Sequence, residues 1–269
     1  MLRRFVPQLR RWSRARHWQR WWRRFRRAPR LAQAIIGAAL ILTLCLTVNW
    51  IYQVIRKPSE LFFPVSGTLN KTPSETWRQY APIFRKYATS VMTPDLLAAI
   101  AQVEGSGNPV ARTYWRWAWT SQPFEVYRPA SSAVGMYQIT DGTFAESRRY
   151  CIHDHSVAKD GAWNSFQSCW FNSLYARVFP SDAVELTSAY LDHSVAATLE
   201  RHRIAAATLE HKQRLAAMIH LCGAGAGEEF AKRGFRLMEA ERCGNHSVRA
   251  YLDRVNAMQA VFDRLQAAP

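Results

Sequence analysis

The sequence predicts a mainly α-helical protein carried by a single transmembrane helix. Three observations lead there. Leu31 to Ile55 is a run of 25 residues without a charge. Beyond it, helix-start signals recur, each followed by apolar residues at helical spacing. No succession of alternating apolar and polar positions points to a sheet. The chain then divides into a cytoplasmic Arg/Trp-rich segment (1–30), a transmembrane helix (31–55), a linker (56–71) and an exported helical domain (72–269).

The formal charge of +16 is concentrated at one end. Of the 36 basic residues, fourteen precede the first acid, Glu60, which leaves 22 against 20 acids in the rest. A basic end can hold nucleic acid or an anionic membrane surface. Trp12, Trp18, Trp21, Trp22 and Phe25 interleave with arginines, which suits base stacking or an interfacial helix. The next segment selects lipid. As a helix, residues 31–55 would span roughly 37 Å, against roughly 30 Å of hydrocarbon, and Trp50 and Tyr52 fall where interfacial aromatics belong. A cleaved signal peptide fits poorly, because the apolar run is too long and no A-x-A site follows. A lipoprotein anchor at Cys45 is disfavoured by the preceding Leu44. The arginine flank predicts a cytoplasmic N-terminus with residues 56–269 outside, anionic lipid as its partner, and no nucleic acid.

Four cysteines lie outside the membrane run: Cys151, Cys169, Cys222 and Cys243. An even count in an oxidising compartment suggests two disulfides. Three connectivities are possible. Nearness in sequence favours Cys151–Cys169 with Cys222–Cys243, each worth ~3 kcal/mol. A zinc site using His153 and His155 is the alternative, and no C-x-x-C spacing supports it.

In the linker, "RKPSELFFPVSGTLNK", Pro, Ser and Gly break any period. Thr72, Pro73 and Glu75 form a capping-box signal, and Pro82 is expected to kink the helix that follows. Thr93, Pro94 and Asp95 open a second helix. A third starts at Ser181 and repeats Val184, Leu186, Tyr190, Leu191 and Val195. "EHKQRLAAMIHLC" is helical, as is the last stretch, with Val248, Tyr251, Leu252, Val255, Met258 and Phe262. Ala111 to Ala130, rich in Trp and Tyr, has no clean period. It reads either as a loop over the core or as a wall of a carbohydrate cleft.

The helix opened by Thr93 ends in an anomaly. Leu97, Ile100, Ala101 and Glu104 share one face, so a carboxylate shares an apolar stripe. Desolvation favours its protonated form, which can deliver a proton to a leaving oxygen. The plainer reading is a solvated Glu, or one paired with Arg112. Gly105 and Gly107 end the helix and leave room for an approaching chain.

Two motifs tilt this toward chemistry. "VEGSGNPVA" followed by "SSAVGMYQIT" resembles the lytic transglycosylases of the soluble-transglycosylase type, relatives of goose-type lysozyme in glycoside hydrolase family 23. Glu104 stands at that family's catalytic glutamate. Asn108, Pro109 and Ala111 match its Asn-Pro-x-Ala, and Ala133, Gly135, Gln138 and Ile139 match its second motif. Gly225 and Gly227 match the glycines of a third, and Tyr251 looks like its late tyrosine. The resemblance spans roughly residues 76–262. It implies a lysozyme-like helical domain with peptidoglycan glycan strands as partner, no cofactor and no metal. Glu104 would be catalytic, and Gly135, Tyr137, Gln138 and Tyr251 would bind substrate. Cell-envelope or secretion-system proteins are open as further partners.

The implied reaction uses one carboxyl group. It protonates the oxygen between N-acetylmuramic acid and N-acetylglucosamine. It then accepts the proton of the muramoyl C6 hydroxyl as a 1,6-anhydro ring closes. Most glycosidases need two carboxyl groups, for which Glu125 and Glu146 are the candidates. The chain departs from the family pattern at Gly105 (family Ser), Met136–Tyr137 (Leu-Met) and Cys222–Gly223 (Tyr-Asn). Tyr137 could stack on a sugar or pack, Tyr251 could orient Glu104 or pack, and Gln138 could be core. Hydrolytic muramidase and an inactive wall-binding scaffold are the rival readings.

Overall fold

The computed structural model describes residues 22–23, 25–62, 65–161, 165 and 168–267. Trp12, Trp18 and Trp21 of the basic segment lie outside them. The chain divides into two compact units. One comprises Met1–Arg56 with Ala118–Tyr127, the other Lys57–Trp117 with Arg128–Pro269.

The first unit is built on α1 (Arg30–Arg56). This helix is long and apolar enough to cross a membrane, and among the described residues none of its most apolar stretch is buried. Its polar residues Asn49 and Gln53 are the exception. Both are buried. Their amides donate to the carbonyls of Tyr127 (2.8 Å) and Phe124 (2.7 Å). Residues 118–127 are thereby held along the last two turns of α1. The Tyr52 and Phe124 rings lie 5.4 Å apart, and Glu125 forms an ion pair with Arg56. The aromatic stretch 111–130, expected as a core loop or a cleft wall, is therefore split, its middle belonging to the unit of α1.

The second unit is mostly helical, as the periodicity predicts: α2 (Pro73–Lys86), α3 (Pro94–Gly105), α4 (Asp141–Ser147), α5 (Pro180–Arg201), α6 (Leu209–Cys222), α7 (Ala224–Lys232) and α8 (Val248–Ala267). Short strands pair two by two along the chain: β1 (Trp115–Trp117) with β2 (Tyr127–Pro129), β3 (Tyr150–His153) with β4 (Ser156–Lys159), and β5 (Arg242–Cys243) with β6 (His246–Ser247). At the β3–β4 turn, Asp154 and His155 both take left-handed backbone (φ 47° and 61°), the pairing that a two-residue hairpin turn requires.

α3 is the centre of this unit. Leu96 to Ala101 are each at most 1% exposed, and a helix apolar all round must be covered on every side. α8 and α2 pack against it, α5 joins α2 to α6, and α6 packs on α7 and α8. The expected inward positions Val184, Leu186, Leu191 and Val195 of α5 are buried, as are Val248, Tyr251, Leu252, Val255 and Phe262 of α8.

The helix starts agree with the sequence in place and differ in detail. At α2 the full capping box forms, Thr72 accepting from the Glu75 N–H and Glu75 from the Thr72 N–H (2.8 Å). The helix continues through Pro82. At α3, Thr93 is the N-cap residue, but its hydroxyl accepts from Gln213 Nε2 (3.1 Å) instead of from the helix end. α5 begins at Pro180 rather than Ser181, whose hydroxyl lies 3.1 Å from that of Tyr87.

The stretch expected as a linker carries two 3-10 turns, Pro58–Phe62 and Ser66–Leu69. Glu60 is fully buried there. It faces Lys57 Nζ at 3.2 Å and Arg112 Nη1 at 3.0 Å, and accepts from the Trp115 indole at 2.8 Å. Burial pushes the Lys57 pKa down, and the charge of Glu60 opposes that. The favoured cysteine connectivity is the observed one: Cys151–Cys169 and Cys222–Cys243, with Cα separations of 5.4 and 5.5 Å.

Removing one partner from a buried ion cluster leaves uncompensated charge. Glu60→Ala should therefore lower unfolding stability by about 3–5 kcal/mol in urea titrations. Thr72→Ala, at a solvated cap, should cost only about 1 kcal/mol.

Candidate active site

The site is set by how α3 ends. Ser106 and Gly107 both have left-handed backbone (φ 50° and 62°). Their N–H groups close back on Gln102 O (3.0 Å) and Ala101 O (3.1 Å), which satisfies the last carbonyls of the helix. A Cβ on Gly107 would meet Thr76 Oγ1 at 2.1 Å. A Cβ on Gly105 would lie 2.8 Å from Met136 Cα and 2.9 Å from its carbonyl oxygen. Glycine at 105 is thus a contact requirement: the helix end rests directly on the backbone of the turn 134–139. A serine could not occupy this packing.

That turn is tightly tied. Val134 and Ile139 exchange backbone hydrogen bonds (3.2 and 3.0 Å), and Gly135 N donates to Ala111 O (2.9 Å). Gly135 has φ +80°, and a Cβ there would strike Arg177 O at 2.4 Å. Asn108, 1% exposed, bonds to Ser66 O, Asn70 Oδ1 and the Val110 N–H.

Glu104 occupies the last turn of α3 with its side chain 18% exposed. Its Oε1 lies 3.6 Å from His220 Nε2 in the last turn of α6. Burial pushes the His220 pKa down, against the opposing pull of the Glu104 charge and the Tyr137 carbonyl. The ring is therefore neutral at neutral pH. Tyr251 of α8 approaches the same carboxyl group. Burial, then the charge of Glu104, raises its phenol pKa well above the usual value. The approach is loose, since the buried hydroxyl makes no hydrogen bond of ordinary geometry among the described residues. Arg112, the alternative partner for Glu104, pairs with Glu60.

The four residues expected to bind substrate lie as follows. Tyr137 is fully buried, and its hydroxyl donates to Leu97 O (3.1 Å). It braces α3 and offers no ring face to a sugar. Gly135 is enclosed by backbone. Gln138, at φ 47°, is half-buried, and its amide nitrogen donates to Gly135 O (2.8 Å) and Ala111 O (3.2 Å), so it staples its own turn. Tyr251 is 2% exposed and acts toward Glu104 rather than toward solvent.

The two candidate second acids make contacts of their own. Glu125 is paired with Arg56 in the first unit. Glu146 is exposed, and the groups it acts on are Tyr150, Tyr190 and His193. Gly227 lets α7 close on Ile219, where a Cβ would meet a side-chain carbon at 2.4 Å. Cys222, two residues beyond His220, ties the end of α6 to β5. Roomier depressions lie elsewhere, one of about 330 Å³ around Gln213 and Gln259 and one of about 280 Å³ beside Lys71 and Glu75, and neither is lined by Glu104.

His220 escaped the sequence reading although the signal was there. It lies four residues after Ala216, on the stripe that buries Ala216 and Ile219, which is the criterion that marked Glu104. No protein-family model matches the chain, and no curated protein matches it.

Two outcomes follow. Gly105→Ala should cost about 1–3 kcal/mol through overpacking, read as a lower urea midpoint. Because the His220 pKa lies below its ordinary 6.5, the unfolded chain takes up that proton first on acidification. Its contribution is full above about pH 6.5 and is lost as pH falls through the folded-state value. Urea titrations from neutral to mildly acid pH should show that decline, and a shallower one in His220→Asn.

Proposed function

We propose that the protein is a membrane-anchored lytic transglycosylase whose lysozyme-like helical domain cleaves peptidoglycan with Glu104 as both acid and base. The observation that carries this is the isolated carboxyl group of Glu104, partly exposed at the end of a buried helix and faced by a neutral histidine and a buried phenol. The resemblance of its two surrounding motifs supplies the reaction.

In that reaction the Glu104 carboxylic acid gives its proton to the glycosidic oxygen, and the bond from that oxygen to the muramoyl C1 breaks. The resulting carboxylate takes the proton of the muramoyl C6 hydroxyl as that oxygen bonds to C1. The acid is regenerated and no water is consumed, so one carboxyl group suffices. The neutral state of His220 matters here. A charged imidazole at 3.6 Å would favour the ionised carboxylate, the wrong state for donating a proton. Tyr251 would limit the swing of the carboxyl group between its two roles.

A hydrolase reading requires a second carboxylate to activate water, and the two candidates for it are engaged elsewhere. The inactive-scaffold reading draws on the burial of Tyr137 and Gly135, which removes two expected substrate contacts. For location, α1 supports a single-pass protein of the bacterial inner membrane. The arginines before it support a cytoplasmic N-terminus with the helical domain outside.

Mass spectrometry of fragments released from purified murein tests the proposal. The wild type should yield anhydro-muramoyl ends, and Glu104→Gln should lose about 10²–10⁴-fold in rate. Reducing ends would establish the hydrolase, and binding without turnover by the wild type would establish the scaffold.

A further inference from the structure

We infer that residues 118–127 are an interfacial hook, a loop clamped to the outer end of α1 that seats Trp119 and Phe124 in the headgroup layer of the bilayer that α1 crosses. The inference rests on the membrane-anchored reading of α1 and is independent of the chemistry at Glu104.

Depth is the first argument. If the hydrocarbon begins near Leu31, its roughly 30 Å are used up after about 20 helical residues, near position 50. Asn49 and Gln53 straddle that border. An amide N–H on a lipid-facing helix is costly unless it is satisfied, and here both amide nitrogens donate to loop carbonyls at 2.8 and 2.7 Å, while Asn49 Oδ1 is buried without a partner among the described residues. The clamp therefore fixes the loop at the level where hydrocarbon gives way to headgroups.

The chemistry of the loop suits that level. Its one charged side chain, Glu125, is paired with Arg56. Its backbone is partly closed on itself, with Ala118 N donating to Val126 O (2.8 Å) and Glu125 N to Gln122 O (3.0 Å). Trp119 is fully exposed, and Phe124, 42% exposed, lies beside Tyr52 of the helix. Tryptophan exposed without protein cover, next to a membrane helix and at headgroup depth, matches the distribution of aromatic belts. The loop interrupts the chain of the second unit between Trp117 and Arg128, so the hook would give that unit a second tether to lipid besides α1 itself.

Tryptophan quenching tests this with the full chain in nanodiscs of phosphatidylcholine and phosphatidylglycerol carrying brominated acyl chains. Four proteins are compared: wild type, Trp119→Phe, Asn49→Leu with Gln53→Leu, and Leu42→Trp as a reporter of α1 depth. Quenching that falls in Trp119→Phe and in the double variant, with added quenching in Leu42→Trp, supports the hook. Quenching in Leu42→Trp with no loss in Trp119→Phe overturns the hook and leaves the membrane helix standing. No quenching in Leu42→Trp overturns both. A Trp119-dependent emission change caused by soluble murein glycan, without lipid quenching, overturns the hook in favour of a carbohydrate wall.

Discussion

The arrangement around Glu104 depends on one missing methyl group. Because residue 105 has no Cβ, the end of α3 can rest on the backbone of Met136, and that contact places the backbone that carries Glu104. The same turn reaches back twice, through the Tyr137 hydroxyl to Leu97 O and through the Tyr137 carbonyl to His220. Helix, turn and the end of α6 are thus held by short polar links inside a close-packed region. Such regions do not deform smoothly, so the geometry of the site is inherited from the core.

Two glutamates of the second unit show how environment separates structure from chemistry. Glu60 is wholly buried and surrounded by Lys57, Arg112 and the Trp115 indole. Its Oε2 accepts two hydrogen bonds and its charge is balanced by two cations, which makes it a strut. Glu104 keeps a path to solvent, and its nearest ring is held uncharged by burial. The two carboxyl groups thus differ in what surrounds them: two cations and an indole at Glu60, a histidine ring and a phenol at Glu104.

Much of this was legible in the sequence because it is local. The capping box at Thr72, the apolar stripes of α5 and α8, the uncharged run of α1 and the pairing of nearby cysteines follow from neighbouring residues. The position of Glu104 on an inward face was readable in the same way. What was not legible depends on contacts between distant segments. Tyr137 and Gly135 carry the right letters for a sugar site, but burial is a property of the whole packing, and both face protein. His220 and Tyr251 meet Glu104 only because α6 and α8 converge on the end of α3. The linker composition of 56–71 hid Glu60, whose partner Arg112 lies 52 residues away. Asn49 and Gln53 looked like minor interruptions of an apolar run, and their purpose lies in a loop some seventy residues later.

The Cys222–Cys243 bridge has a consequence for timing. It secures the last turn of α6, which carries His220. A reducing compartment keeps thiols apart, so the newly made chain on the inner side of a membrane lacks this fastening. The latch can close only after the domain reaches oxidising surroundings. The surroundings of His220 would then be completed only after the chain has left the compartment in which it is made.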